Sequence, residues 1–512
     1  GMCSNLMLRK KRFFVSIKMM KRKNRPSEKS DTPRKDAFEA AWEKFKHLVP
    51  ESELAQIEAS FSKPLDRAFR INPQKISAET AETMSRRYGW QVEPVVFCPE
   101  GHKIREGEIS PGQTTEHRCG QFYIQDTASM LPGILFSDEA MKNRPLILDM
   151  AASPGGKTTH LSARSGDNGL ILANDSSPAR IGALKSVLKK WGSVNHLVTS
   201  FPGESFGNWF PEWFDLILLD APCSMQSLVS IESHPMRPIT EREEESLAIR
   251  QAALLDSALN ALKPGGQVVY STCTLSAHED EAVVDQMLKK YGKAISLENA
   301  NDFLPYPAPG VTADGERIFE VSLAGTIRLW PHRYGTSGFF AALIQKRDSF
   351  STKQSEPPNR PWDKSGFSEM RESQQKDLCT WFEDQFNYPL AASLSATGSS
   401  LWLRRDEVWA LPERYRSTFN GLPCKSAGMR VATVSAGGGW IPDDDWVARF
   451  YPLFRKNKLE LHADQISGWL QGEDLRITGG FPKGSMLLMT DDFGVFLGCG
   501  RVGGDKIRNF NK

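Results

Sequence analysis

"PLILDMAASPGGKTTHLSARSG", residues 145–166, decides the fold class because it contains a complete strand–turn–helix unit. Its apolar start predicts a buried strand, Pro154-Gly155-Gly156 predicts a turn, and the rest predicts a helix. The alternation returns in "GLILAND" with "SPARIGALKSVLKKWG", and in "FDLILLDAPC" with a long helix at 241–262. Strands alternating with helices across short Gly or Pro turns are typical of an α/β fold, a doubly wound, mostly parallel sheet with helices on both faces.

The rest of the chain divides around this block, which we place at 141–348. Residues 36–140 predict a smaller α+β domain, with helices first and short strands after them. "TIRLWPHRYGTSGFFAALIQKR" (326–347) predicts an antiparallel pair that closes the block. Residues 349–369 are rich in Ser, Pro and Asn and predict a linker. Residues 370–512 predict one or two small α+β or β-rich modules.

The composition excludes several classes of protein. A chain of 512 residues, 40% hydrophobic and 25% charged, is typical of a globular protein of three or four domains. No apolar run reaches the roughly 18 residues that a membrane span needs. The eight cysteines form no CxxC pair, and no secretory segment precedes them. We therefore expect no disulfide framework, no zinc or other metal site, and a reducing, cytoplasmic location.

Charge is concentrated at the N-terminus. Residues 1–35 hold twelve Lys or Arg against Glu28 and Asp31, whereas the remainder holds 52 basic and 60 acidic residues, a balance of −8. The first segment is typical of a disordered basic tail that favours nucleic acid without sequence preference; a transit peptide is the alternative. Nucleic acid binding by the folded body must therefore use local basic grooves.

Two features at strand ends point to a nucleoside ligand. A Gly-rich turn at 154–156 lets backbone N–H groups approach a ligand at a helix start, but it fits neither the P-loop nor the GxGxxG spacing. Asp175, about 20 residues on, is placed to bind the hydroxyls of a ribose. A purely structural turn and a helix N-cap are the alternatives. Because both features occur in register, the nucleoside interpretation is the better one.

Two further strand ends each present a cysteine. Asp220 and Cys223 follow one strand, and Cys273 follows the next. Parallel strands end at one edge of a sheet, so both thiols are predicted to reach one pocket. A single free cysteine is usually a small buried hydrophobe. Two of them beside a carboxylate indicate chemistry instead.

These segments resemble the Nol1/Nop2/Sun RNA (cytosine-5) methyltransferases, in order across about 65–347. The similar stretches are "FRINP", "GQFYIQDTASMLPG", "LDMAASPGGKTTHLSA", "LLDAPCS", "YSTCTLSAHEDEAVV" and "PHRYGTSGFF". The C-terminal "ISGWLQGEDL" through "GVFLGCGRVGGDKIRN" is similar to the PUA-like tail of the bacterial RsmF type, which acts on small-subunit ribosomal RNA. The resemblance implies a Rossmann-like methyltransferase domain with a mostly parallel seven-stranded sheet, an N-terminal RNA-side domain, and a PUA-like RNA-binding region.

The resemblance also implies catalytic roles. Cys273 adds to carbon-6 of cytosine as a thiolate, and Cys223 assists release of the methylated product. A Pro-Cys after the fourth strand is also where DNA cytosine-5 enzymes keep their nucleophile, and "STCT" at 271–274 favours the RNA family. Asp220 bonds the cytosine edge, and Lys157 stabilises the site electrostatically. An ordinary exposed lysine at a helix start is the alternative for Lys157.

S-adenosyl-L-methionine is the implied cofactor, and ribosomal RNA or the small ribosomal subunit is the implied partner of a monomer. The residues carried over for cofactor binding are Ala151, Ala152, Ser153, Pro154, Gly155, Gly156, Lys157, Asp175, Arg180, Pro202 and Asp220. Arg70 and Asn72 are implied on the RNA side. The target base is expected to leave its stack to reach the thiols.

The chain departs from the family pattern at two places. After Cys223 the family usually has Ser-Gly-x-Gly, with glutamate between the glycines, but here Met225-Gln226-Ser227 follow Ser224. Neither glycine, which would permit positive φ, is retained. Pro202 occupies the place of an aspartate that reaches the adenine, and Glu204 is a possible substitute.

A catalytically weak or silent RNA-binding assembly factor is therefore the competing interpretation. A small-molecule methyltransferase fits poorly, because two thiols would have no use there.

Overall fold

The computed structural model describes residues 32–229, 236–350, 353–476 and 480–510. The predicted basic tail therefore lies outside the described residues, except that its last four residues open the first helix. Within the described ranges, no helix is both long and apolar enough to cross a membrane.

The α-helices and β-strands alternate through most of the chain. The helices are α1 Thr32–Phe45, α2 Leu54–Ser60, α3 Ala78–Tyr88, α4 Thr115–Arg118, α5 Leu131–Ile134, α6 Asp138–Lys142, α7 Gly156–Ser165, α8 Ile181–Trp191, α9 Phe206–Trp209, α10 Glu241–Ala261, α11 Glu281–Tyr291, α12 Pro331–Tyr334, α13 Glu372–Phe386, α14 Leu390–Thr397, α15 Arg414–Thr418, α16 Asp444–Phe450 and α17 Ala463–Leu470. The strands are β1 Arg67–Ile71, β2 Gln91–Val95, β3 Cys98–Glu106, β4 Phe122–Ile124, β5 Leu146–Asp149, β6 Leu170–Asn174, β7 His196–Thr199, β8 Phe214–Asp220, β9 Leu262–Thr272, β10 Ile295–Glu298, β11 Ala313–Asp314, β12 Arg317–Ile318, β13 Ile327–Leu329, β14 Phe339–Lys346, β15 Ser368–Glu369, β16 Ser399–Arg404, β17 Glu407–Pro412, β18 Ser426–Ala427, β19 Met429–Val434, β20 Trp440–Pro442, β21 Lys458–Glu460, β22 Leu475–Arg476, β23 Met486–Thr490, β24 Phe496–Gly503 and β25 Lys506–Asn509.

The central sheet has the order β10-β14-β9-β8-β5-β6-β7-β18, and β13 pairs with β14. Strands β5 to β9 are parallel, whereas β14 and β10 run antiparallel to their neighbours. The predicted α/β class is confirmed, as is the predicted antiparallel pair, now β13 with β14. The seven predicted strands are extended by β13 and β18.

Both faces of the central sheet are buried, because its strands are apolar at successive positions. Leu148, Leu172 and Ile217 belong to one core cluster, and their neighbours Ile147 and Ile171 belong to another. Successive side chains of a strand point to opposite faces, so each cluster fills one side of the sheet. Helix α10 covers the first side with buried leucines. This layering fixes the carboxyl ends of β5, β6, β8 and β9 along one edge.

A four-stranded antiparallel sheet, β2-β3-β1-β4, forms the N-terminal unit. Its own core is aromatic, with Phe69, Trp90 and Phe122 packed together. The edge strand β4 leads into "QDTASMLPG", which packs against the central block through Met130 and Leu131. The N-terminal unit therefore borders the carboxyl edge of the central sheet.

The C-terminal part contains two five-stranded sheets, β15-β16-β17-β19-β20 and β21-β23-β24-β25-β22. β15 lies within the segment predicted as a linker and pairs with β16. The short strand β18 pairs antiparallel with β7, so the C-terminal part supplies one edge strand of the central sheet. The PUA-like character of the last sheet stays a prediction.

Candidate active site

The two cysteines at neighbouring strand ends come into contact. β8 and β9 pair in parallel with Asp220 opposite Ser271, so the segments that follow them leave the sheet side by side. Cys223 Sγ and Cys273 Sγ are 3.3 Å apart. The neighbouring Cys273 thiol and burial raise the pKa of Cys223 well above its ordinary value. Cys223 is therefore a neutral thiol, a group that can donate a proton.

A carboxylate and an ammonium group stand beside the thiols. Asp220 Oδ2 lies 2.7 Å from Lys157 Nζ, and Asp220 Oδ1 accepts a hydrogen bond of 2.8 Å from Ser271 Oγ. Burial opposes the charge of Lys157, but Asp220 outweighs it and the pKa of Lys157 is raised. Lys157 is thus a fixed cation in the pocket, and the alternative of an ordinary exposed lysine is wrong. Ser271 is a site residue that the sequence analysis missed.

The turn after Cys223 keeps a conformation typical of glycine without containing one. Met225 has φ +57° and Leu228 has φ +59°, both in the left-handed region. For a residue with a side chain this region costs roughly 1–2 kcal/mol. The turn therefore stores backbone strain at the place where the family usually has glycine.

Gln226 and Ser227 bind this turn to the segments around it. Gln226 Nε2 donates to the carbonyls of Ser224 and Arg237, and the Gln226 carbonyl accepts from Leu275 N. The Ser227 carbonyl accepts from Gly338 N at 2.8 Å. Gln226 and Ser227 are both buried. The departure from the family pattern is thus accommodated by specific contacts on both sides of the thiols.

A buried glutamate connects the segment that contains Cys223 with the segment that follows Cys273. Glu279 accepts hydrogen bonds from Ser224 N at 3.0 Å, from Ser224 Oγ and from Gln251 Nε2 at 2.8 Å. Gln251 also donates to the Pro222 carbonyl. Burial raises the pKa of Glu279, although Ser224 and Gln251 oppose the shift. One signal for this residue was present, the "HEDE" run at 278–281 after the second cysteine.

Arg328 also holds the segment after Cys273 in place. Its side chain is fully buried; Nη1 donates to the Leu275 carbonyl at 2.7 Å, and Nε donates to Glu281 Oε1 at 3.0 Å. Its Nη2 also lies 3.4 Å from Asp280 Oδ2. Sequence reasoning missed Arg328, because an arginine inside an apolar strand gives no sign of which carboxylates it will meet.

The predicted glycine turn begins α7 at the carboxyl end of β5. Gly155 has φ +115°, and a Cβ on it would lie 2.9 Å from Val187 Cγ1. A Cβ on Gly156 would lie 2.8 Å from Tyr123 Cε1. The turn therefore requires both glycines, one for its conformation and both for close packing. The ten-residue helix α7 starts at this turn, and its first backbone N–H groups have no partner within the helix. These groups lie at the carboxyl ends of the strands.

Acidic groups at the ends of β5 and β6 complete a cradle that fits a nucleoside sulfonium cofactor. Asp149 is buried, Thr158 Oγ1 donates to its Oδ2 at 2.6 Å, and its Oδ1 has no partner among the described residues. Burial raises the pKa of Asp149 to about 7. Asp175 accepts from Ser153 N and Ser177 N, but it is not the N-cap of the helix that follows, because Ser177 precedes the 3-10 turn and Arg180 precedes α8. A carboxylate offers about four lone pairs, so capacity for ribose hydroxyls remains.

The remaining cofactor predictions fall at the rim of this cradle. Arg180 Nη1 lies 3.5 Å from Asp175 Oδ2, and another of its nitrogens donates to the Ser153 carbonyl. Pro202 starts a single 3-10 turn, and Glu204 pairs with Arg250 at 3.3 Å. Glu204, the suggested substitute for the missing aspartate, is therefore already engaged by an arginine.

Arg70 and Asn72 require a correction, because both side chains are fully buried. Arg70 Nη2 donates to the Gly156 carbonyl at 2.9 Å and to Thr159 Oγ1 at 2.7 Å. Burial lowers the pKa of Arg70 to about 10. Asn72 Nδ2 donates to the Gly120 and Trp191 carbonyls. In this conformation both hold the N-terminal unit against α7 and α8, and neither can contact RNA.

Two family descriptions match consecutive parts of the chain. That of the 16S rRNA methyltransferase RsmB/F covers residues 139–345, and that of the N-terminal domain of 16S rRNA methyltransferase RsmF covers residues 39–127. The first contains both thiols, Asp220 and the glycine turn. The second contains most of the N-terminal unit.

Relatives align over most of their length. Ribosomal RNA small subunit methyltransferase F of Aeromonas hydrophila is 32% identical over 454 residues, which are 88% of this chain and 91% of that protein. The protein of the same name from Serratia proteamaculans is 34% identical over 427 residues, which are 81% and 84% of the two chains.

Solved structures resemble 62% of the chain. A methyltransferase homolog protein from Pyrococcus horikoshii is 30% identical, with a TM-score of 0.52 over 62% of this chain and 100% of that one. NSun6 from the same organism, solved with SFG, is 21% identical with a TM-score of 0.50 over 62% of this chain and 98% of that one, and shows the fold alone. Together with the family descriptions, these likenesses confirm the Rossmann-like methyltransferase fold and the resemblance drawn from the motifs. The chain belongs to the ribosomal RNA small subunit methyltransferase F family.

Proposed function

We propose that this protein methylates carbon-5 of a cytosine in small-subunit ribosomal RNA, with S-adenosylmethionine as methyl donor. The observation that carries the proposal is the contact of two thiols, 3.3 Å apart, beside an Asp–Lys ion pair. Carbon-5 of cytosine is a poor nucleophile, and a thiolate added at carbon-6 makes it reactive. A transferase to oxygen or nitrogen would need neither thiol.

Cys273 is the attacking thiol in this proposal. Its sulfur forms a bond to carbon-6, and the ring electrons shift so that carbon-5 becomes nucleophilic. After the methyl group is on carbon-5, loss of the carbon-5 proton to a base re-forms the ring double bond and expels the Cys273 thiolate. Cys223, held neutral at 3.3 Å, is placed to return a proton to that departing sulfur. Cys273 thus forms the covalent bond to the base, and Cys223 assists its release.

In this proposal Asp220 binds the cytosine edge, and Lys157 provides a positive charge in the site. Asp220 is fixed from two sides by Lys157 and Ser271, so its carboxylate presents a constant orientation to the cytosine edge. A preorganised group of this kind stabilises charge that develops on thiolate addition without reorganising. Lys157 adds a positive charge near Cys273, which stabilises negative charge that develops in the site.

The cofactor lies along the glycine turn in this proposal. S-adenosylmethionine supplies an electrophilic methyl group when bound. Turn residues 151–157 line the cofactor, and Gly155, Gly156 and Lys157 provide its backbone N–H groups, because Pro154 has none and those of Ala152 and Ser153 bond the Asn174 carbonyl and Asp175. Asp175 lies at the place for the ribose, and Arg180 and Pro202 border the cradle. The unpartnered Oδ1 of Asp149 supports a polar ligand there.

We assign RNA binding to the N-terminal unit, 36–140, and to the PUA-like region within 370–512, which flank the methyltransferase domain at 141–348. One chain supplies both thiols, Asp220 and the whole cofactor cradle, so we take the monomer as the active unit. With a ribosomal RNA substrate, we also propose a cytoplasmic location.

Release of tritium from carbon-5-labelled cytosine in small-subunit ribosomal RNA tests the reaction. The wild-type protein should release tritium only when S-adenosylmethionine is present, and Cys273→Ala should release none. Cys223→Ala should accumulate a covalent protein–RNA adduct that resists denaturing electrophoresis, because the last step is slowed.

Cys424→Ala is the matched control, since this thiol is partly buried like Cys223 and Cys273 but belongs to the C-terminal part. It should behave like the wild type. RNA binding without tritium release by the wild type would instead identify a silent RNA-binding assembly factor. An adduct with Cys273→Ala and none with Cys223→Ala would exchange the two cysteine roles.

A further inference from the structure

An exposed aromatic ring lies near the proposed catalytic pocket and has no role in it. Tyr306 is 47% exposed, and it lies two residues after the buried Leu304. One face of its ring stacks on Tyr334, with centroids 4.3 Å apart and an interplanar angle of 8°. The other face is left to solvent. An exposed ring held flat in this way is unusual, because large aromatic residues normally bury most of their surface.

The orientation of this ring is fixed by several contacts. Tyr334 is itself buried, and Phe97 packs edge-on against it. The Tyr334 hydroxyl donates to the Tyr306 carbonyl, and Tyr306 N donates back to the Tyr334 hydroxyl at 3.3 Å. Backbone and ring of Tyr306 are therefore both tied to Tyr334. The orientation of the exposed ring face is already fixed before a ligand binds, so little conformational entropy is lost when a ligand stacks on it.

A short segment of the chain connects Tyr334, on which this ring stacks, to the turn after Cys223. Tyr334 is four residues before Gly338, whose N–H donates to the Ser227 carbonyl in the turn after Cys223. Four residues span at most about 15 Å between Cα atoms. Ser337, on the way, donates to Asp126, a carboxylate that interacts electrostatically with Lys157. The stacked pair thus lies within a few nucleotides of the position of the target base.

The surroundings of the ring carry positive charge. Lys103 Nζ donates to the Tyr334 carbonyl at 2.8 Å, and among the described residues no carboxylate forms an ion pair with it. Arg333 is paired with Glu53, which also contacts His332. Lys103 is thus an ammonium group without a direct ion pair, although Asp66, Glu93 and Asp126 act on it at longer range. Such a cation beside an aromatic face suits a nucleic acid strand, which offers a base to the ring and a phosphate to the cation.

We propose that Tyr306 is the stacking site for an unpaired nucleotide that flanks the target cytosine, and that Lys103 contacts its phosphate. This inference rests on the proposed function, because it gives the position of the RNA strand relative to the thiols. Stacking on a ring accepts any base, so Tyr306 holds the strand without selecting its sequence. Tyr306 is a positioning residue and takes no part in the chemical step.

The test compares Tyr306→Ala, Tyr306→Trp and Trp213→Ala in the full-length protein. Trp213 is the matched control: its ring is 40% exposed, and it directly precedes β8, at the end of the strand opposite Asp220. Binding of a short fluorescein-labelled single-stranded RNA gives Kd, and tritium release from small-subunit ribosomal RNA gives KM and kcat. Urea unfolding checks that each variant is folded.

Tyr306→Ala should raise Kd and KM about tenfold and leave kcat within about twofold, since a stacked base typically contributes this much. Tyr306→Trp should restore both constants, and Trp213→Ala should change neither. Equal effects of the two alanine variants would overturn the proposal. A fall in kcat with Kd unchanged would overturn it too, since that pattern marks a structural role. A Tyr306-dependent Kd without methyl transfer by the wild type would support the stacking site and reject the proposed reaction.

Discussion

Met225 has the unusual backbone conformation in the turn after Cys223. Its φ of +57° is the conformation that glycine adopts freely, yet the chain supplies a long side chain there. Strained residues of this kind persist only where the surrounding structure determines them. Here the hydrogen bonds of Gln226 and Ser227 hold the turn on both sides.

Met225→Gly should therefore keep the turn and keep methyl transfer within about threefold of wild type. Relief of roughly 1–2 kcal/mol of strain is offset in part by the greater freedom of glycine in the unfolded chain, so the free energy of unfolding should change by less than about 1 kcal/mol. Met225→Val places a β-branched side chain at positive φ and should lose about 1–2 kcal/mol more. Urea unfolding and tritium release measure both effects. An inactive glycine variant would show that the methionine side chain itself serves the base pocket.

At this scale the sequence predicted that Asp220 and the two thiols come together, but it did not predict the residues that hold them in place. Asp220, Cys223 and Cys273 were predictable, because each follows a strongly apolar strand and parallel strands end at one edge. The burial of Arg70 was not, since a charged residue in a short strand usually faces solvent. Its partners, Gln125 and Thr159, come from elements that sequence patterns cannot place beside it.

Strand β13 and helix α11 are joined by an ion pair that lies entirely out of water. Arg328 on β13 meets Asp280 and Glu281 at the start of α11, and all three side chains have no exposed surface. The same guanidinium donates to the Leu275 carbonyl. The position of the segment after Cys273 therefore depends on the contact between these two elements.

Arg328→Met should lower the free energy of unfolding by about 3–5 kcal/mol, because it leaves two buried carboxylates without their cation. Arg347→Met is the control, since Arg347 and its partner Glu298 are partly exposed, and it should cost less than about 1 kcal/mol. Urea unfolding with unchanged m-value measures both. Similar losses in the two variants would show that the buried pair contributes no special stability.

Periodicity predicted the long elements well, including α10 and the antiparallel pair β13 with β14, because their apolar patterns extend over many residues. Two-residue strands such as β15 and β18 carry no such pattern. They form because neighbouring strands offer unpaired backbone groups, and this information belongs to the tertiary structure.

At β7 the central sheet of the molecule meets the C-terminal part. His196 on β7 is buried, its Nδ1 lies 2.9 Å from the Ser193 carbonyl, and its own carbonyl accepts from Gly428 N. Burial lowers the pKa of His196 to about 4. Burial also lowers the pKa of His117 to about 4 and that of His160 well below its ordinary value.

These depressed pKa values predict loss of stability in acid. In the unfolded chain each ring takes up a proton below about pH 6.5, whereas in the folded protein His196 and His117 resist protonation until about pH 4. The stability they contribute is therefore complete above pH 6.5 and is lost as the pH falls to about 4. For His196 alone the loss amounts to about 3 kcal/mol.

Urea unfolding at several pH values should show His196→Gln with a weaker dependence on acid than wild type. His462→Gln, on an exposed residue, should keep the wild-type dependence. Identical pH profiles for wild type and His196→Gln would refute the assignment.

The pairing of β18 with β7 also sets an order for biosynthesis. Residues 141–348 contain the whole candidate catalytic site, yet the edge of their sheet stays open until residues 426–427 have left the ribosome. At the usual rate of translation that interval lasts roughly 4–16 s, during which β7 presents unpaired backbone groups to other chains. A nascent chain of this protein is therefore most exposed to aggregation after its catalytic segments are already made, and chaperone binding should concentrate in that interval.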